Sequence, residues 1–314
     1  MLDIAIMIEG QNGLTWERWQ RIANTVEALG FTGLYRSDHY TNASPPDKES
    51  LELWVSLTWL ASHTQRIEFG PLVSPISFRH PTMTARMAAS VDDLSGGRFT
   101  LGLGAGWQER EHTNFGRDLL DLPDRFIRFE EGLEVITQLL NSDNPVDFNG
   151  EYYQLFEAIL LPRPERPNGP PILIGGNGSK RTLPLVARYA DEWNALFITP
   201  DKFAELNKKL YEHLEAVKRQ PESVRRSLMT GCVFGPNDAQ VEEKVKSRGS
   251  GKFSVAELKE RGLVVGTPGD IVDQLGSFEN AGVERIMLQW LDLDDIDGLE
   301  AMAMSILPQT KSRK

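Results

Sequence analysis

The chain has 314 residues, of which 40% are hydrophobic and 25% are charged, which are the proportions of a folded protein with a substantial core. Its 34 Lys and Arg against 45 Asp and Glu give a formal charge of -11, which disfavours nucleic acid as a partner because phosphate backbones are also negative. The chain has a single cysteine, no basic signal-peptide region and no apolar run near the roughly 18 residues that a membrane span needs. A single cysteine cannot form an internal disulfide, which is typical of a reducing compartment. We therefore expect a soluble cytoplasmic protein with no membrane partner.

Helical and strand patterns alternate along the rest of the chain. Apolar residues recur at helical spacing from Trp16 to Val26, from Phe126 to Leu140 and from Phe203 to Val217. Eight apolar runs have the character of buried parallel strands. They cover residues 3–9, 33–38, 67–73, 98–104, 171–175, 193–197, 228–234 and 284–290.

Eight strand–helix units in a chain of this length favour a sheet that closes on itself. The predicted fold class is therefore α/β, a single (β/α)8 TIM barrel that takes in residues 1–314 as one domain. A doubly wound open sheet is the alternative, because alternation alone does not show closure. Residues 141–170, with the hairpin signal Asn149-Gly150, and the charged residues 236–262 interrupt the alternation. We expect both to be insertions, after the fourth helix and around the seventh, beside the mouth of the barrel.

Catalytic side chains of a barrel lie where the strands end and the following loops begin. Glu9 ends the first predicted strand, and Asp38 and His39 end the second. An Asp–His pair is suited to acid–base chemistry or to hydrogen bonding with a cofactor, and capping of the next loop is an equally good interpretation. No further histidine or carboxylate cluster accompanies the pair, so we expect no metal site and disfavour a metallohydrolase.

Two glycine-rich segments follow predicted strands. In the first, Gly102 to Gly106 has the spacing G-x-G-x-G instead of the dinucleotide fingerprint, and its small residues let a flat ring system lie against the strand ends. The second opens a helix, as a phosphate-binding loop does, and an ordinary tight turn is the alternative. It consists of Gly175, Gly176, Asn177, Gly178 and Ser179.

Five longer segments carry a combined pattern. They are GLYRSDHY (33–40), FGPLVSPISFRHP (69–81), LSGGRFTLGLGAGWQEREH (94–112), PPILIGGNGSKRTLPLVARYADEWN (170–194) and VVGTPGDIVDQL (264–275). Together they resemble the bacterial luciferase-like superfamily and, within it, the coenzyme F420-dependent oxidoreductases. The resemblance covers nearly the whole chain.

The resemblance implies a (β/α)8 barrel whose mouth holds a deazaflavin or a flavin. It implies that Asp38 contacts the deazaflavin, and that His39, near Trp107 and Glu9, serves in proton transfer or substrate binding. It also implies a non-prolyl cis peptide near Pro71-Leu72 that backs the ring, and a phosphate site at Gly176, Gly178 and Ser179. The full expected cofactor-binding set is Asp38, Pro71, Leu72, Val73, Gly104, Gly106, Gly175, Gly176, Asn177, Gly178, Ser179 and Asn194.

Two positions depart from the F420-dependent sugar-6-phosphate dehydrogenases of the superfamily. Ala43 stands where these enzymes have an aromatic residue, and Trp107 stands where they have an acid. Both changes remove groups that are assigned to the sugar reaction in those enzymes, so the sequence does not identify the substrate.

The resulting hypothesis is an oxidoreductase that transfers a hydride between F420 and a small organic substrate. A reduced-FMN-dependent monooxygenase with the same fold is the first alternative, and a flavin-binding barrel without catalysis is the second. The superfamily's mode of association implies a homodimer, in which Trp54 and Trp59 are candidate contacts unless they pack against the strands.

Overall fold

A ring of parallel strands forms the centre of the computed structural model, which describes residues 2–248 and 252–311. The described residues contain twelve strands, which in chain order are β1 (Asp3–Ile8), β2 (Gly33–Arg36), β3 (Glu68–Pro71), β4 (Ser74–Pro75), β5 (Leu101–Gly104), β6 (Val146–Asn149), β7 (Gln154–Ala158), β8 (Ile172–Gly175), β9 (Glu192–Leu196), β10 (Arg225–Phe234), β11 (Val264–Gly266) and β12 (Arg285–Gln289).

Eight of these strands make the ring, in the order β3-β2-β1-β12-β10-β9-β8-β5, and every neighbouring pair is parallel. A parallel bridge between Phe69 and Phe99 joins the two ends. The bridge is held by backbone hydrogen bonds from Phe69 to Arg98 (3.1 Å) and from Thr100 to Phe69 (2.9 Å). The predicted (β/α)8 barrel is therefore confirmed, and the open-sheet alternative is wrong.

Helices surround the ring and cover the outer faces of the strands. In the described residues they are α1 (Trp16–Leu29), α2 (Leu53–His63), α3 (Pro81–Ser95), α4 (Glu109–Asn114), α5 (Leu122–Asn141), α6 (Thr182–Tyr189), α7 (Pro200–Ala216), α8 (Asp238–Ser247), α9 (Val255–Glu260), α10 (Pro268–Asn280) and α11 (Ile296–Lys311). Their ends follow local chemistry: Thr15 caps the start of α1, and Gly30 ends it in the left-handed conformation at φ 92°. None of the helices in the described ranges is long and apolar enough to cross a membrane.

Charged side chains close the barrel at the amino-terminal ends of its strands, which we call the floor. Arg285 is buried there and donates to Glu192 (3.1 Å), to the Tyr35 hydroxyl (2.6 Å) and to Glu68. A buried guanidinium is tolerated because these acceptors offset the cost of removing it from water. An apolar layer that includes Met7 lies above the floor and separates it from the carboxyl ends of the strands, the mouth.

The insertion at residues 141–170 forms the predicted hairpin, with β6 and β7 antiparallel around Asn149-Gly150. Its position beside the mouth stays a prediction. The Glu131 carboxylate of α5 accepts from the backbone N–H of Tyr152 (2.8 Å), and the Tyr153 ring contacts His80 at the start of α3. The hairpin therefore lies against the outer faces of α3 and α5.

The insertion at residues 236–262 lies at the mouth side, where β10 extends beyond the ring and pairs with β11. Its residues 249–251 lie outside the described part of the chain. These residues are charged and poor in large apolar side chains, so they show no clear helical pattern, yet α8 and α9 form here. They form because Val241 and Val245 of α8 pack against Val233 and Val265 in a small apolar cluster of their own.

Candidate active site

A cavity of about 470 Å³ opens at the mouth of the barrel, in the size range of ligand-binding clefts. Its ionisable side chains are Glu9 and His39, which follow β1 and β2. The rest of its wall is largely apolar and comes mainly from Met7, Val73, Phe126, Phe129, Leu196 and Met229. The structure thus brings together predicted residues from five separate segments. Besides Glu9 and His39, they include Leu72, Gly104, Gly106, Trp107, Gly175 and Gly176.

Val73 forms one wall of this cavity, where the chain leaves β3. A non-prolyl cis peptide joins Leu72 to Val73, one residue later than predicted. A Cβ atom at Gly104 would lie 2.6 Å from Val73 Cγ2, and one at Gly175 would lie 3.1 Å from Val73 Cγ1. The two glycines therefore leave room for the Val73 side chain, which gives a flat ring an apolar surface to lie on.

His39 is paired with a buried carboxylate that the sequence did not single out. Its Nδ1 lies 2.8 Å from Oε1 of Glu111, and the other Glu111 oxygen accepts from the backbone N–H of Tyr40 (2.9 Å). Glu111 is fully buried, and Trp107 lies edge-on to the His39 ring at 5.6 Å. Because a carboxylate only accepts, Nδ1 carries a proton and Nε2 remains for a ligand.

The Glu111 contact also favours the protonated form of His39. Burial disfavours the imidazolium, but the hydrogen bond to Glu111 and the negative charges of Glu111, Glu9 and Asp38 outweigh it and raise the pKa of His39 above its usual value. In the sequence, Glu111 is only one acidic residue in a short helix that follows the G-x-G-x-G strand. It is 72 residues away from His39, so the sequence does not indicate that the two are paired.

Asp38 lies behind the cavity wall. Its Oδ2 accepts from Ser74 Oγ (2.7 Å) and from Arg79 (2.5 Å), and Arg79 also pairs with Glu52 (2.9 Å). The structure therefore makes Asp38 the ionic partner of Arg79 and does not place it on the cavity lining. Its contact with a cofactor stays a prediction.

Glu9 is held in the cavity by two neutral amides. Its Oε1 accepts from Gln289 Nε2 (2.6 Å), and its Oε2 accepts from Gln11 Nε2 (2.8 Å). Gln11 in turn accepts from the Ser37 hydroxyl at 2.7 Å. Sequence reasoning missed Gln11, Ser37 and Gln289, because their part in the site depends on pairing between β1, β2 and β12.

The glycine-rich loop after β8 has unused hydrogen-bond donors. Gly175 and Gly176 line the cavity, and the Asn177 side chain ties the loop to Leu196, accepting from its N–H at 2.9 Å and donating to its carbonyl at 2.7 Å. Gly178 and Ser179 lie beyond the lining. The backbone N–H groups of residues 177–181 donate to no acceptor in the described chain, which leaves them for an anion.

Two further members of the expected cofactor set also lie outside the cavity lining. Pro71 is within β3, where it pairs with Arg36 of β2. Asn194 is fully buried inside the barrel, where its amide donates to Ser227 Oγ (2.9 Å) and its Oδ1 has no donor among the described residues. Within the described residues no group of three or more His, Cys, Asp or Glu is placed to hold a metal ion.

Comparisons with known proteins agree with this architecture. An F420-dependent glucose-6-phosphate dehydrogenase from Amycolatopsis mediterranei (strain U-32) is 28% identical over 317 residues, which cover 91% of this chain and 92% of the relative. A 4-hydroxyprotoasukamycin monooxygenase from Streptomyces nodosus subsp. asukaensis is 26% identical, over 92% of this chain and 84% of the relative.

A solved structure of an F420-dependent secondary alcohol dehydrogenase, in complex with an F420–acetone adduct, has the same fold. It superimposes with a TM-score of 0.82 at 19% identity, over 97% of this chain and 99% of that chain. The family model described as luciferase-like monooxygenase matches residues 4–255. This match confirms the resemblance to the superfamily: the chain belongs to the luciferase-like monooxygenase family.

Proposed function

We propose that this protein is a coenzyme F420-dependent oxidoreductase that acts on a small organic substrate, as a cytoplasmic single-domain barrel that forms a homodimer. The observation that carries the proposal is the His39–Glu111 pair at the edge of an apolar cavity whose Val73 wall suits a flat ring. The F420-dependent relative and the F420-dependent structural neighbour support it.

Residues at the mouth fit a deazaflavin with a phosphate-bearing tail. Leu72 and Val73, with Gly104 and Gly106 beside them, would contact the ring. The free N–H groups of residues 177–181 and the Ser179 hydroxyl would hold the phosphate. When bound, the deazaflavin supplies two-electron hydride chemistry, and the protein supplies orientation and electrostatics.

His39 would hold the proton that accompanies hydride transfer, at Nε2. Glu111 fixes the ring through Nδ1, so that Nε2 faces the cavity. Because the pKa of His39 is raised, the ring keeps its proton to a higher pH than a free imidazole. This suits donation to a substrate carbonyl oxygen, or removal of the proton from an alcohol in the reverse direction.

The cavity lining does not favour a sugar phosphate. No Lys or Arg side chain is among the described residues that line it, and Trp107 occupies its rim with 62% of its surface exposed. A phosphate dianion in the substrate position would lack a Lys or Arg partner there. The departures at Ala43 and Trp107 point the same way.

The first alternative is that the cofactor is FMN, which is worth testing because one relative is named as a monooxygenase. The second alternative is a flavin-binding barrel without catalysis. Titration of the purified protein with F420 and with FMN, followed by fluorescence quenching, tests both. We expect micromolar or tighter binding of F420 and much weaker binding of FMN. Tight binding of FMN alone would contradict the proposal. Binding of F420 without turnover across a panel of alcohols, ketones and imines would favour the non-catalytic barrel.

The homodimer proposal is supported by an apolar face on α2 and α3. Val55 and Met83 are 57% and 51% exposed on this face, and a second copy of the chain would cover them. Trp54 is itself buried against Phe99 and contributes less than expected, whereas Trp59 is half-buried. Sedimentation should give the mass of a dimer, and a monomer at micromolar concentration would contradict this part of the proposal.

A further inference from the structure

One carboxylate at the mouth has no cationic side chain in direct contact with it. Asp38 is paired with Arg79, and Glu111 is paired with His39, which forms a neutral pair when the imidazole is protonated. Glu9 has no hydrogen bond or ion pair to a cationic side chain in the described ranges. It is therefore the carboxylate that faces the cavity without a positive partner in contact with it.

The hydrogen bonds of Glu9 fix its position and leave its charge in place. Both donors, Gln11 and Gln289, are neutral amides, which hold the carboxylate without cancelling it. Arg36 interacts with the charge of Glu9 but makes no hydrogen bond to it. Its guanidinium is buried, donates to the Leu51 carbonyl and to Ser56, and interacts more strongly with Asp38 and Glu52 than with Glu9. A carboxylate in such a setting attracts a positively charged ligand.

Aromatic side chains complete a surface of the kind that binds cations. Phe126 and Phe129 line the cavity, and Trp107 and Phe197 stand at its rim with 62% and 42% of their surfaces exposed. The faces of aromatic rings attract cations, and proteins use them to recognise substituted ammonium groups. An acidic group together with exposed aromatic rings is more specific for an ammonium group than either feature alone.

The barrel topology puts Glu9 on the side of the cavity that remains for a substrate. In the ring of eight strands, β1 lies four positions from β8, which is directly across the mouth. Glu9 follows β1, whereas Gly175 at the end of β8 supports Val73, the expected wall for the cofactor ring. Glu9 therefore lies across the mouth from Gly175, next to which the Val73 side chain packs, and a cofactor ring held by Val73 would leave the side of the cavity at Glu9 for a substrate.

We propose that Glu9 selects a substrate that carries a positively charged nitrogen, as an ammonium or iminium group. This inference rests on the proposed function for the identity of the site as a substrate pocket. It goes beyond that function by naming the chemical class that the pocket recognises, and by separating this chain from enzymes that bind phosphorylated substrates.

The test compares three probes that share the 1-phenylethyl group at pH 7.5: the 1-phenylethylammonium cation, neutral 1-phenylethanol and the 2-phenylpropanoate anion. Isothermal titration calorimetry measures their binding to the protein without and with F420. We expect the cation to bind about tenfold more tightly than the alcohol or better, as a hydrogen bond to a charged group allows, and the anion to bind most weakly.

Three variants separate the charge of Glu9 from other effects. In Glu9→Gln the preference for the cation should be lost, and in Glu9→Asp part of it should remain, because the charge is kept but moved. Glu109→Gln is the matched control, since Glu109 is an exposed acid on α4 outside the cavity lining, and it should keep the full preference. Thermal unfolding of each variant checks that it is folded.

Equal affinity for the cation and the alcohol in the unmodified protein would overturn the inference, as would an unchanged preference in Glu9→Gln. The failure of the proposed function is distinguishable from this result. A protein that binds F420 without preferring the cation keeps its proposed function and loses the role of Glu9. A protein that prefers the cation but does not bind F420 keeps the role of Glu9 and loses the F420 proposal.

Discussion

At the scale of single residues, Glu111 determines how His39 can carry a proton. Its carboxylate is 2.8 Å from Nδ1 and helps to raise the pKa of His39. Glu111→Gln keeps the size of the side chain but removes its charge, so we expect the pKa of His39 to fall. Proton NMR titration of the imidazole signals measures this directly in the protein without cofactor. Glu109→Gln, on the same helix, is the control, and an unshifted titration in Glu111→Gln would contradict the assignment.

His39→Ala tests the proton-transfer role itself. General acid–base catalysis contributes typically about 10²–10⁴-fold, so we expect kcat to fall by that order while the affinity for F420 changes little. Steady-state kinetics on an accepted substrate and F420 titration give the two quantities. Full turnover in the variant would make His39 a loop-capping residue and remove the proposed proton carrier.

The sequence could predict Glu9 and His39 as residues of the mouth, because both directly follow apolar runs that became β1 and β2. It could not predict Glu111, because the contact depends on how the short helix α4 folds back over the end of β2. The placement of Asp38 was also beyond the sequence. Asp38 and His39 are adjacent, and the point at which β2 ends determines which of the two side chains faces the cavity. Asp38 lies behind the cavity wall because it is paired with Arg79, which is 41 residues away in the sequence.

At the scale of elements, the ends of β3, β5 and β8 together determine the Val73 wall. In Gly104→Ala the new Cβ would lie 2.6 Å from Val73 Cγ2, and a β-branched side chain has few rotamers with which to avoid it. We expect Val73 to shift into the cavity and the affinity for F420 to fall about tenfold. A tenfold loss of affinity corresponds to about 1.4 kcal/mol, which is within the usual free-energy cost of overpacking.

A rescue and a control sharpen this test. Val73→Ala combined with Gly104→Ala removes the clash, so the double variant should bind F420 more tightly than Gly104→Ala alone. Gly269→Ala is the control, because a Cβ there meets no atom within 4 Å. Fluorescence titration gives all four affinities. If Gly104→Ala bound F420 as tightly as the unmodified protein, the Val73 wall would not contact the cofactor.

The eight strands of the ring were predictable because each lies in a short apolar run that is buried, which the sequence displays directly. The position of the hairpin at residues 141–170 was not, since it depends on Glu131 and His80, which belong to helices remote in sequence. The helices α8 and α9 were missed for a similar reason. Their stability comes from a few valines that pack on the extension of β10, and such a small apolar surface does not produce a clear helical pattern.

At the scale of the whole molecule, stability and function lie at opposite ends of one barrel. The floor is built from buried charges centred on Arg285, and the mouth carries the cavity with Glu9 and His39. In barrels of this type the carboxyl ends of the strands carry the chemistry, and the other end serves stability. Substitutions in the floor should therefore change the free energy of unfolding while the affinity for F420 at the mouth is preserved.

Arg285→Met makes this separation measurable. It leaves Glu192 buried without its cation, and breaking a buried ion pair costs about 3–5 kcal/mol. Burial already raises the pKa of Glu192 despite the opposing charge of Arg285, and removing Arg285 raises it further. The Glu192 carboxyl then binds its proton more tightly in the folded variant than in the unfolded one. The loss of folding free energy is therefore largest at neutral pH, and it shrinks as the pH falls through the pKa of Glu192 in the folded variant.

Urea unfolding at pH 7 and at pH 5, each referred to the unmodified protein at the same pH, measures the effect. The loss of stability in Arg285→Met should be smaller at pH 5. The double variant Arg285→Met with Glu192→Gln should recover part of the loss at pH 7, because no unpaired charge remains at that position. An equal loss at both pH values would mean that packing of the Arg285 side chain, and not its charge, holds the floor together. Retained F420 affinity in the folded variant would show that the mouth tolerates a weakened floor.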